Sequence, residues 1–103
     1  MKDEEIKKLK MRDVIAMPEF REEMARQVAI EEETHTCNIA NMRMERTPLD
    51  SLRERGVFNA ETLVQLYKAI LDKSLLGFSS NERSYIDRMG LVCLGRVLAR
   101  LRE

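Results

Sequence analysis

Residues 18–46 read PEFREEMARQVAIEEETHTCNIANMRMER, and no glycine or second proline interrupts them. Pro18 suits the first turn of a helix, and the acids that follow it suit the positive end of the helix dipole. The stretch therefore predicts one helix of about 28 residues, or about 42 Å at ~1.5 Å per residue. We expect the fold to be organised around it.

The apolar side chains of this predicted helix fall on two roughly opposite faces. The face expected to pack in the core contains Met17, Phe20, Met24, Val28, His35, Ile39 and Met42. The second face contains Ile30, Cys37 and Met44, which recur every seven residues. A second apolar face is typical of a helix that packs against another chain. We therefore predict that this face is an interface.

Two helix-capping patterns follow the long helix. Thr47-Pro48-Leu49-Asp50 supplies an N-cap residue, a proline at the first helical position and an acid three residues after the cap. The pattern predicts a short helix that stops at Gly56. Asn59 caps a further predicted helix over residues 60–75 with a broad apolar face. We expect two helices joined by a tight turn.

The final predicted helix, over residues 81–101, is apolar on almost every side. Ser79 and Glu82 have the spacing of a capping box at its start. Such a helix lies either at the centre of a fold or in a dimer seam, and in a seam a second copy would cover Leu91, Val92 and Leu98. Gly90 and Gly95 each cost about 1 kcal/mol in helix propensity, which indicates close approach by another helix.

Together these patterns predict an all-α fold, a small bundle of four to five helices in a single domain over residues 1–103. Residues 1–17 are expected to form a loosely docked helix with a thin apolar stripe of Ile6, Leu9 and Val14. The composition agrees with a compact helical chain, since 44% of the residues are apolar, 35% are charged, and only four are glycine and two proline.

Charge and cysteine usage limit the partners and the compartment. The chain has 18 basic and 18 acidic residues, so no overall field attracts nucleic acid or an anionic membrane. No apolar run approaches the ~20 residues that cross a bilayer. The opening MKDEEIKKLK does not resemble a secretion leader, and the apolar neighbours of Cys37 and Cys93 predict free, buried thiols. We expect a cytoplasmic protein with no membrane partner.

One pair of side chains has the spacing of metal ligands. Glu32 and His35 are three residues apart and share a helical face, as in the Glu-x-x-His spacing of di-iron bundles. Only a symmetric dimer could bring two such pairs together. The alternative interpretation places His35 at the edge of the core, bonded to Glu31 or Glu32. We expect no cofactor, and a dimeric metal site is the third hypothesis for function.

Residues 49–71 have the outline of a helix-turn-helix, with a short helix, a turn containing glycine and a longer helix. The second helix offers Lys68 and Lys73 but no arginine, which is a weak footprint for reading DNA. Arg96 and Arg100, one turn apart on the last helix, could extend a basic patch in a dimer. A small dimeric DNA-binding regulator is therefore the alternative hypothesis, although nucleic acid is not favoured.

No phosphate loop, nucleophile elbow or paired-cysteine motif occurs in the sequence. His35 and Cys37 point about 200° apart on a helix, so they cannot form a dyad within it. The leading hypothesis is therefore a non-enzymatic protein–protein interaction or assembly module. Its expected partner is a second copy, giving a homo-oligomer, or another helical protein.

Overall fold

The computed structural model describes the backbone of residues 2–41 and 47–103, and the side chains of this set apart from residues 36–41. The described residues form six α-helices and no strand. These are α1 (Asp3–Lys7), α2 (Met11–Ile15), α3 (Pro18–Asn41), α4 (Pro48–Glu54), α5 (Ala60–Leu71) and α6 (Ser80–Arg102). The prediction of an all-α bundle is confirmed. The predicted end of the long helix, at residue 46, lies outside the described residues.

The helices outnumber the predicted four to five because the N-terminal segment forms two short helices instead of one. Lys10 has an extended backbone, with φ −88° and ψ 155°, and separates α1 from α2. The Asp13 carboxylate accepts a hydrogen bond from the Lys10 N–H at 3.1 Å and so caps α2. Ile6, Val14 and Ile15 are buried. The segment is therefore packed on the bundle, and how loosely it docks stays a prediction.

Both predicted capping boxes are present. Oγ1 of Thr47 accepts from the Asp50 N–H at 3.3 Å, while Oδ2 of Asp50 accepts from the Thr47 N–H at 3.0 Å. At the start of α6, Oγ of Ser79 accepts from the Glu82 N–H at 3.2 Å, and Oε1 of Glu82 accepts from the Ser79 N–H at 2.8 Å. The boxes satisfy backbone donors that a helix start leaves free.

α5 ends at Leu71 instead of the predicted residue 75. Lys73 takes the left-handed backbone region with φ 57°. Its N–H donates to the Ile70 carbonyl at 3.0 Å, and the next N–H, of Ser74, donates to the Ala69 carbonyl at 2.9 Å. This is the hydrogen-bond pattern that commonly closes helices at a glycine. Because a lysine closes α5, the sequence carries no stop signal there.

α6 lies at the centre of the fold and packs against each of the other five described helices. Its Ile86, Met89, Cys93 and Val97 are fully buried. Cys93 Sγ lies 3.9 Å from Met24 Sδ on α3, so the prediction of a buried free thiol is confirmed for Cys93. No helix in the described residues is both long and apolar enough to cross a lipid bilayer.

Candidate interaction face

A row of polar contacts joins α3 to α6 beside their apolar seam. Its rungs are Glu23 Oε2 with Arg100 Nη1 at 3.1 Å, Gln27 Oε1 with Arg96 Nη1 at 2.6 Å, and Glu31 Oε1 with Arg88 Nη2 at 2.5 Å. We call these contacts the α3–α6 ladder. Residue numbers rise along α3 while they fall along α6, so the two helices are antiparallel. The four-residue spacing of the α3 members places them on one side of that helix.

The Glu31 rung has a second donor, because the Tyr85 hydroxyl donates to the same Oε1 at 2.8 Å. Partial burial opposes ionisation of Glu31, but the hydrogen bonds from Arg88 and Tyr85 outweigh it, and the pKa of Glu31 is lowered. Burial, followed by the bond to Glu31, raises the pKa of Tyr85 well above its usual range. At neutral pH Glu31 is therefore a carboxylate and Tyr85 a protonated phenol. These ionisation states suit a structural hydrogen bond between α3 and α6.

The other end of the ladder opens into a cleft of about 450 Å³, lined by Glu23, Arg26, Arg96, Ala99, Arg100 and Glu103. Glu23 is only 1% exposed, and its Oε1 has no hydrogen-bond partner within the part of the chain that the structure describes. Its Oε2 binds Arg100, while Arg96 binds the neutral amide oxygen of Gln27. Both arginines are therefore held against α3.

Apolar side chains flank the ladder. Val92 lies one helical turn from both Arg88 and Arg96. An apolar side chain therefore lies between these two arginines on the same side of α6. Ile30, next to Glu31 on α3, is 41% exposed, and Leu91, next to Val92, is 50% exposed.

Ile30 and Val92 therefore lie beside the ladder, and Leu91, Gly95 and Leu98 follow on the outer side of α6, away from its buried residues. We call this surface the α3–α6 face; its described members are Ile30, Leu91, Val92, Gly95 and Leu98. Val92 and Leu98 are half-buried and Gly95 is exposed. The side chains of Cys37 and Met44, the other predicted interface residues, lie outside the described residues.

The predicted metal pair is placed differently from the expectation. His35 is 6% exposed, and its Nε2 lies 2.9 Å from Oδ1 of Asp50, so it ties α3 to the start of α4. The non-metal interpretation gave His35 a partner on its own helix, Glu31 or Glu32, because helical spacing cannot show the approach of α4. Within the described residues no group of three or more His, Cys, Asp or Glu side chains could hold a metal ion. The dimeric site at Glu32 and His35 stays a prediction.

The predicted DNA-contacting residues fall in two separate places. Lys68 is exposed at a pocket of about 230 Å³ between α2 and α5, and Lys73 is the left-handed residue that closes α5. Arg96 and Arg100 lie on α6 at the cleft beside α3. The turn between α4 and α5 contains Gly56, with φ 74°, as the helix-turn-helix outline requires. DNA binding stays a prediction.

Sequence reasoning missed the ladder itself. From the sequence, Arg96 and Arg100 were considered as part of a basic patch, and no partner was predicted for Gln27. The available signal was the four-residue spacing of Glu23, Gln27 and Glu31, which matches that of Arg96 and Arg100. Comparison with protein-family models, curated proteins and solved structures finds no match for this chain.

Proposed function

We propose that this chain is a non-enzymatic helical interaction or assembly module whose α3–α6 face packs against a helix of a partner. The observation that carries the proposal is the exposure of two large aliphatic side chains of this face, Ile30 on α3 and Leu91 on α6. Fully burying an aliphatic side chain of this size contributes about 1.5–3 kcal/mol, and roughly half of that remains available at each position. Ile30 and Leu91 would therefore favour association.

The ladder supports the same proposal because it orders the surface before a partner arrives. Arg88 and Arg96 are long side chains that would otherwise lose rotamer freedom on binding, at about 0.5–1.5 kcal/mol each. Here Glu31 and Gln27 already hold them. A partner helix would meet a surface of fixed shape, with apolar side chains between restrained polar ones.

The chemistry of the described side chains favours binding over catalysis. Burial raises the pKa of Cys93 to about 11, so little reactive thiolate exists at neutral pH. The Tyr85 and Glu31 pair is fixed in its ionisation states, as described above. These observations support a non-enzymatic role.

A photo-crosslinking experiment tests the proposal for any protein partner. A photoreactive amino acid replaces Leu91 in one variant and Gln65, an exposed residue of α5, in a control variant. We expect irradiation of cells that make the protein to yield discrete adducts from position 91 and few from position 65. Equal adduct yields at the two positions would show that the α3–α6 face is not a preferred contact surface.

A further inference from the structure

Three of the four glycines are explained by the chain's own structure. Gly56 and Gly77 have φ of 74° and 82°, a backbone region that favours glycine. Gly90 lies inside α6, where a Cβ would stand 2.2 Å from the Tyr67 ring. Each of these positions excludes a side chain for a local reason.

Gly95 has no such reason. It lies within α6, and a Cβ built on it meets no atom within 4 Å in the part of the chain that the structure describes. Glycine is among the poorest residues for the interior of a helix, so alanine would suit the isolated chain better. Gly95 is exposed at the middle of the α3–α6 face, one turn after Leu91 and about one turn before Leu98. The space above it is open to another molecule.

We propose that Gly95 is the point at which α6 of a second copy of this chain crosses α6; this inference rests on the proposed function and names the partner. The missing Cβ lets two helix axes approach closely, because nothing projects between the backbones. Leu91 and Leu98 project on either side of this notch. One helix therefore carries both the notch and the side chains that fit around it, which is the self-complementary surface that a two-fold symmetric dimer needs.

The charges of the chain and of the face permit this partner. The formal net charge is zero, so two copies do not repel one another as they approach. Arg88, the arginine nearest Leu91, is paired with Glu31. Contact between two α6 helices would therefore not set unpaired Arg88 guanidinium groups against each other.

The size of the face also suits a dimer. Two helices about 20 residues long and about 10 Å wide present roughly 30 × 20 Å, or about 600 Å². Two copies would bury about 1,200 Å², the lower bound of standard stable interfaces. The expected dimer is therefore modest in affinity and depends on concentration.

Light scattering after size-exclusion chromatography, from about 1 μM to about 1 mM protein, tests the inference. We expect the wild-type mass to rise from 12.0 kDa towards twice that value. Gly95→Leu should weaken association roughly tenfold or more, because its side chain fills the crossing point. Gln65→Leu adds the same side chain at an exposed site on α5 and should leave association unchanged.

Gly95→Ala separates an interface effect from a folding defect. It should raise the melting temperature at concentrations where the chain is monomeric, since alanine favours helix, and still weaken association. A wild-type mass of 12.0 kDa at every concentration would overturn the second-copy inference. A dimer that both Gly95 variants leave unchanged would overturn the crossing point. Neither result removes the proposed function if Leu91 still crosslinks specifically to another protein.

Discussion

The ring of Tyr67 occupies the space that a side chain at Gly90 would need, since a Cβ there would lie 2.2 Å from Tyr67 Cδ1. Tyr67 is fully buried on α5 and stacks on Phe20 of α3, with ring centroids 5.9 Å apart. The glycine thus lets α6 approach α5 closely enough for the Tyr67 ring to pack against both α3 and α6. The close approach expected from the sequence is confirmed at Gly90.

Gly90→Ala should destabilise the protein by about 1–3 kcal/mol, because the new methyl group forces the Tyr67 ring to move in a packed core. Urea unfolding at a concentration where the chain has one mass measures the change. Gly95→Ala is the matched control, and should instead stabilise the monomer by up to about 1 kcal/mol. Equal effects of the two substitutions would contradict the packing of Gly90 against Tyr67.

The His35–Asp50 contact should be measurable as a coupling between α3 and α4. His35→Gln and Asp50→Asn should each lower the free energy of unfolding by about 1–2 kcal/mol, because each weakens a hydrogen bond between partly or fully buried polar groups. The double variant should lose less than the sum of the single losses. Thr47→Ala, which removes the cap of α4 without touching His35, serves as the control, and strict additivity of the His35 and Asp50 losses would contradict the contact.

The stability contributed by Glu31 should depend on pH. Its pKa in the folded state lies below the ordinary value of 4.5, so its ionised form stabilises the fold above that pH. The contribution is lost as pH falls through the folded-state pKa. The difference in unfolding free energy between wild type and Glu31→Gln should therefore be largest near neutral pH and shrink on acidification.

Tyr85→Phe provides the check on this interpretation of Glu31. It removes one of the donors that lower the pKa of Glu31, so acid should then weaken the fold at a higher pH than in wild type. Urea unfolding from about pH 7 to about pH 3 measures both variants. A constant difference between wild type and Glu31→Gln over this range would argue against the lowered pKa.

Cys93 should resist thiol reagents in the folded protein. Its pKa is raised from 9.0 to about 11, which leaves roughly a hundredfold less thiolate at a given neutral pH, and its side chain is fully buried. In a Cys37→Ser background, labelling with a maleimide should be slow and should accelerate in urea. Complete labelling within seconds under native conditions would show that the α3–α6 seam opens readily.

Much of the fold could be predicted because its signals are local. Thr47 with Asp50 and Ser79 with Glu82 cap helices through side chains only three residues apart, and both boxes form as expected. The end of α5 could not be predicted, since a lysine takes the backbone position usually filled by glycine. Local patterns therefore located the helix starts better than the helix ends.

The candidate site was predicted less completely because its geometry depends on which helices meet. Ile30 and Val92 were expected in two alternative seams, and the pairings of Gln27 with Arg96 and of Glu31 with Arg88 show that both lie beside the α3–α6 ladder. His35 was assigned a partner on its own helix, although its partner Asp50 comes from α4. Periodicity identifies the faces of a helix but does not determine which neighbour each face meets.

The central position of α6 has a consequence for the order in which the chain can fold during synthesis. α6 is the last of the described helices to be translated, and the other five pack on it. Met24, for example, meets Cys93, which the ribosome adds 69 residues later. Until residues 80–102 have emerged, the apolar side of α3 lacks this partner surface, so the growing chain exposes a surface that chaperones bind. Completion of α6 should therefore convert a chaperone substrate into a folded domain in one late step.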